Sequence, residues 1–84
     1  MPDQRDTAIS LMQQQRFAEA LPICMSLIEI DPKDWSLFYM AGQCHRFTNN
    51  ISEAVRELQR AAELNHGEAQ VFLALGIACQ LSED

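Results

Sequence analysis

Apolar residues recur at helical spacing along nearly the whole chain, and the polar breaks between these stretches are short. Two stretches, Trp35 to Phe47 and Ile51 to Leu64, are separated only by Thr48-Asn49-Asn50. The pattern predicts two helices that fold straight back on one another. One stripe carries Trp35, Phe38, Ala41, Gly42 and His45; the other carries Ala54, Leu58, Ala61 and Leu64. Ala41, Gly42, Ala54, Ala61 and Ala62 stand where bulky side chains would hold the two axes apart. A closely packed helical hairpin is the expectation.

The flanks extend the same logic. Residues 4–14 place Thr7/Ala8, Leu11 and Met12 on one stripe of a polar first helix, with Pro2 and Asp3 suited to its start. After Gln15-Arg16, Phe17 to Ile30 reads as a second helix with Phe17, Ala20, Leu21, Cys24, Leu27 and Ile28 inward. Pro22 predicts either a start near Ala18 or a mild kink, and Asp31-Pro32 ends the helix. Asp34 is placed to cap the third helix. Asn49 suits its left-handed end, and Asn50 with Glu53 has the spacing of a capping box. Glu53/Arg56, Glu57/Arg60 and Arg60/Glu63 read as outward pairs. Beyond Asn65-His66-Gly67, residues 68–81 form a fifth helix, with Phe72, Leu75, Gly76 and Cys79 in the places of Phe38, Ala41, Gly42 and His45.

Those correspondences fall at one interval. Phe38 and Phe72, Gly42 and Gly76, Glu19 and Glu53, Ala20 and Ala54, and Glu29 and Glu63 all lie 34 residues apart. A fixed period of this length marks a solenoid of stacked helical hairpins. The period and the residue types resemble the tetratricopeptide repeat, in about two and a half copies. Residues 35–68 carry the fullest match, with Phe38, Ala41-Gly42, His45, Ala54, Leu58 and Ala61, and His66 in place of the usual proline. Residues 1–34 keep Phe17, Ala20, Leu27 and Pro32, and residues 69–84 keep Phe72, Leu75-Gly76 and Cys79. The resemblance implies an all-α fold: a right-handed superhelical stack of antiparallel helical hairpins, with five helices in a single domain over residues 1–84. The open third repeat suggests a piece of a longer array.

Composition narrows the function. Twelve acidic against six basic residues give a formal charge of −6 without a Lys/Arg cluster, which argues against nucleic acid as a partner. Cys24, Cys44 and Cys79 are an odd number at wide spacing, unlike a disulfide scaffold or a zinc site. They read as small apolar groups on inward positions of a cytoplasmic protein. Neither a signal sequence nor a membrane-spanning run is evident. Cys44 and His45 are neighbours in sequence and point about 100° apart on a helix, so they cannot act as a nucleophile and base pair. His66 stands alone in a turn. No catalytic residues, metal ligands or cofactor are expected.

The resemblance implies instead a concave surface built from one helix of each hairpin. Its positions are Arg5, Ile9, Met12 and Gln13, then Tyr39, Met40, Gln43, Arg46 and Phe47, then Leu73, Ala74, Ile77 and Leu81. Arg5, Tyr39, Met40, Gln43, Arg46, Phe47, Leu73 and Ile77 are the partner-binding candidates, with packing of Met40, Phe47 and Leu73 against neighbouring helices as the alternative. Aromatic residues, Met and Arg suit a protein or peptide partner. At the places of the family's clamp for chaperone C-termini stand Arg5, Ile9, Met40, Gln70 and Ala74, a poor set for a carboxylate. A non-catalytic interaction scaffold is therefore the leading function. Its rivals are a substrate-presenting arm of a larger enzyme, such as a transferase, and a secretion-type chaperone. Phe72, Leu73, Leu75 and Ile77 on the uncovered last helix imply association of two copies.

Overall fold

A computed structural model of the chain describes residues 4–82. It contains five helices and no strand among the described residues: α1 (Gln4–Gln13), α2 (Phe17–Ile30), α3 (Trp35–Phe47), α4 (Ile51–Leu64) and α5 (Ala69–Ser82). The expectations for Pro2 and Asp3, and the closing Glu83-Asp84, lie outside the described residues. Each helix packs on the next, and α3 also touches α5 lightly. The result is an elongated stack of 41 × 24 × 19 Å.

The connections repeat as faithfully as the side chains do. Gln15 (φ 63°) and Asn49 (φ 68°), 34 residues apart, are the left-handed residues that end α1 and α3. After each, the chain closes the same bond: Arg16 N–H donates to the Leu11 carbonyl and Asn50 N–H to the His45 carbonyl, both at 2.8 Å. The ends of α2 and α4 match in the same way, with Asp31 N–H on Leu27 O at 2.9 Å and Asn65 N–H on Ala61 O at 3.0 Å. Both left-handed ends satisfy carbonyls that a helix terminus would otherwise leave unpaired.

Close approach of the helices follows from what fills the core. Among the described residues, eight of the fourteen buried apolar residues are alanine, so small side chains dominate the packing between helices. Ala8, Ala20, Cys24, Leu37, Met40, Ala41 and Cys44 form one cluster across the first three helices. Leu58 and Ala54 pack with Ala74 and Ala78 between α4 and α5, and Val71 joins Ala61 and Ala62 beside them. Leu37 and Val71, absent from the expected stripes, are buried at 2% and 0% exposure. α3 packs against both α2 and α4, and Val71 of α5 packs against Ala61 and Ala62 of α4, so the buried arc is wider than the expected stripe.

α2 runs from Phe17 to Ile30 as read from the sequence, with Pro22 inside it on the exposed side. Two local expectations are corrected. The Asn50 side chain makes no capping bond to α4 and instead donates to the Thr48 hydroxyl at 3.1 Å, so the capping box does not form. Glu57 is half-buried rather than outward. Of the three expected charge pairs on α4, only Arg60–Glu63 closes, at 3.2 Å.

Candidate functional site

The inner helices α1, α3 and α5 turn their remaining side chains to a common side, and two adjoining hollows lie there. The first, of about 320 Å³, is lined by Ile9, Met12 and Gln13 of α1, Phe17 of α2, and Tyr39, Met40, Gln43 and Phe47 of α3. The second, of about 300 Å³, is lined by Tyr39, Gln43 and Arg46 of α3 and by Gln70, Leu73, Ala74 and Ile77 of α5. Tyr39 and Gln43 belong to both, so one strip runs across the three inner helices.

Helical spacing puts Tyr39, Gln43, Arg46 and Phe47 on one side of α3. Gln43 Nε2 donates to the Tyr39 hydroxyl at 3.3 Å, and Trp35 lies 6.4 Å from Tyr39 ring to ring. Phe47 stacks on Phe17 with centroids 4.6 Å apart at 20°, which ties the end of α3 to the start of α2. The Arg46 guanidinium sits over the same Phe47 ring, 4.3 Å from its centroid. Aromatic and cation–π contacts of this kind contribute about 0.5–1.5 kcal/mol each, enough to give Arg46 a preferred position.

The candidates fall in different settings. Tyr39, Gln43 and Arg46 are half-buried in the strip, whereas Phe47 (54%), Leu73 (68%) and Ile77 (36%) are open. Met40 is a core residue at 8% exposure whose flank forms part of the first hollow. Ala74 is likewise buried, at 4%. Arg5 is engaged within the fold: its guanidinium pairs with the Asp34 carboxylate and donates to the Ser36 hydroxyl at 2.9 Å. Asp34 also accepts from the Ser36 backbone N–H at 3.0 Å, capping α3 as its position implies. Burial works against the Asp34 carboxylate. Hydrogen bonds from the Ser36 hydroxyl, Arg5 and the Ser36 N–H outweigh it and hold the carboxyl below its usual range. Sequence reasoning missed this α1–α3 tie, since nothing local to Arg5 announces a partner 29 residues away.

On α5, Phe72 (47%) and Leu73 are open while Leu75 packs against the α4 clusters. Phe72, Leu73, Gly76, Ile77 and Gln80 line a further hollow on that helix. Cys24 and Cys44 are both buried, and the neighbouring Cys24 thiol together with burial pushes the Cys44 thiol well above its usual range. Cys24, Cys44 and Cys79 are all free. Among the described residues no cluster of His, Cys, Asp and Glu could hold a metal ion, and no helix is long and apolar enough to cross a membrane.

Comparison with known proteins matches this architecture. The pattern described as Tetratricopeptide repeat covers residues 11–76. DnaJ homolog subfamily C member 7 from Homo sapiens is 36% identical over 63 residues, which is 75% of this chain and 13% of that protein, and the Mus musculus protein matches equally. Its homolog from Dictyostelium discoideum is 32% identical over 65 residues, 75% of this chain and 12% of that one. The chain thus spans a small part of the curated relatives it matches. A solved structure described as MamA RS-1 ArsTM double mutant superposes with a TM-score of 0.93 over 96% of this chain and 46% of that chain, at 18% identity, a likeness of fold. With its 34-residue period repeated in side chains and in helix ends, the chain belongs to the tetratricopeptide repeat family, an all-α solenoid of protein-interaction repeats.

Proposed function

We propose that the chain is a non-catalytic scaffold that binds a peptide or a partner helix along the concave strip. The observation that carries this reading is the sharing of Tyr39 and Gln43 between two hollows, which sets them side by side between Phe47 and Leu73 and Ile77. An extended segment can lay alternate side chains into the two hollows, while Tyr39 and Gln43 offer polar groups to its backbone. In this reading Met40 supplies floor rather than contact surface, and Arg5 fixes α1 against α3 at the rim. Three free cysteines support a reducing, cytoplasmic setting. The scaffold is tested by titrating a captured peptide against the Tyr39→Ala and Leu73→Asp variants, each checked for helicity by circular dichroism. Binding weakened in both supports the strip, and undiminished binding in both rejects it.

A second reading concerns α5, and Gly76 favours it. A Cβ on Gly42 would strike Leu58, whereas a Cβ on the equivalent Gly76 would meet nothing within 4 Å. Phe72 beside it is open. We propose that this face is where two copies associate, and a strictly monomeric chain at high micromolar concentration contradicts it.

A further inference from the structure

Charge is partitioned between the two kinds of helix. The strip is lined by α1, α3 and α5, and of the outer helices only Phe17 reaches it. Glu19, Glu29, Glu53 and Glu63 are exposed on those outer helices, α2 and α4. Neither hollow is lined by an Asp or Glu, although the chain has twelve acidic residues and a charge of −6. The charged residue in the strip is Arg46.

Arg46 is also left without an ion pair among the described residues. The pairs formed there are Arg5–Asp34, Arg16–Glu19 and Arg60–Glu63. Its Nε is buried without a hydrogen-bond partner, and its guanidinium is positioned by Phe47, itself stacked on Phe17. In an acidic protein, a cation held over an aromatic ring with no acid against it is a selective element. A cationic ligand would meet Arg46 with nothing to offset the repulsion. An anionic group would gain a charge-assisted contact beside apolar walls, where screening is weaker than in bulk water.

Resting on the strip reading, we propose that the occupant is a peptide carrying an internal Asp or Glu side chain that pairs with Arg46, flanked by apolar residues on both sides. The carboxylate is internal because Arg46 lines one hollow and the strip goes on from it into the other through the shared Tyr39 and Gln43. Phe47, Met12 and Ile9 lie in one hollow, and Leu73 and Ile77 in the other. A chain terminus at Arg46 would leave one of them empty.

The test begins with selection from a phage-displayed library of random dodecapeptides, whose C-termini are fused and so uncharged. Enriched sequences are expected to share one acidic residue between apolar ones. Fluorescence anisotropy then compares the best peptide and its Glu→Gln or Asp→Asn counterpart on the wild-type chain and on Arg46→Gln. Each single change should weaken binding about five- to tenfold, and both together should weaken it no further. An Arg46→Glu chain should prefer a Lys-bearing counterpart. Groove-dependent peptides with no acidic preference, or an Arg46→Gln loss below about twofold, overturn the carboxylate assignment and leave the strip intact. Binding that appears only with a free C-terminal carboxylate also overturns it. No enrichment, or binding indifferent to Leu73→Asp, overturns the strip itself.

Discussion

A Cβ added to Gly42 would lie 2.6 Å from Cγ and 2.8 Å from Cδ2 of Leu58, a side chain with no exposed surface, and 3.4 Å from the Ala54 carbonyl. A methyl at Gly42 would therefore press on Leu58, so its absence is what lets α3 and α4 pack this closely. Overpacking of this kind costs about 1–3 kcal/mol, against a helix-propensity gain for Gly→Ala of about 1 kcal/mol. Gly42→Ala should therefore be neutral to destabilising by about 2 kcal/mol. Gly76→Ala, with open space around it, should stabilise by about 0.5–1 kcal/mol. Urea unfolding of the two variants checks the contrast, and equal effects at both positions would refute it.

The left-handed helix ends give a second contrast. Gln15 and Asn49 adopt the same positive φ, but asparagine tolerates that region better than glutamine. Gln15→Gly should raise stability by about 0.5–1 kcal/mol, and Asn49→Gly should raise it less. Denaturant midpoints measured on both variants decide the ordering.

Two carboxylates should give opposite pH dependences. Asp34 is held below its usual range, so its contribution is present above about pH 3.9, the unfolded value, and is lost as pH falls through the folded value. Asp34→Asn should lower stability at pH 7 and flatten the acid limb. Burial raises Glu57, opposed by the charges of His45 and Arg56. A raised carboxyl favours the fold below about pH 4.3, and that advantage fades as pH rises through the folded value. Glu57→Gln should thus raise the thermal midpoint at pH 7 and leave it nearly unchanged at pH 3. Thermal midpoints recorded by circular dichroism from pH 3 to pH 8 read both signs.

Association through α5 makes its own prediction. Phe72 and Leu73 are 47% and 68% exposed beside Gly76, and fully burying such a side chain contributes about 1.5–3 kcal/mol. Analytical ultracentrifugation at high micromolar concentration should show a dimer in the wild type and a monomer in Phe72→Ser. A wild type that sediments strictly as monomer removes this surface from consideration.

Periodicity and the 34-residue register made the helices legible in the sequence, because each boundary is set by local chemistry: Asp31-Pro32, the Asp34 cap, Asn49. The register placed Gly42 at the close approach to Leu58, whereas the equivalent Gly76 has open space beside it. Less legible was burial on the inner helices. Leu37 and Met40 are buried because α2 and α4 both pack on α3, and Val71 and Ala74 because they face α4; a single stripe does not report these further positions. Long-range ties such as Arg5 with Asp34 and the neighbouring Cys24 and Cys44 thiols depend on which positions stacking brings together. The concave strip was visible as a set of positions, but its division into two hollows sharing Tyr39 and Gln43 required the packed helices.

Backbone amide chemical shifts of the isotopically labelled chain, followed while a library-selected peptide is titrated in, test the central claim most directly. Shifts should concentrate in α1, α3 and α5 around Tyr39, Gln43, Arg46, Phe47, Leu73 and Ile77, and should vanish in Leu73→Asp. Shifts confined to the outer faces of α2 and α4, around Glu29 and Glu63, would contradict it.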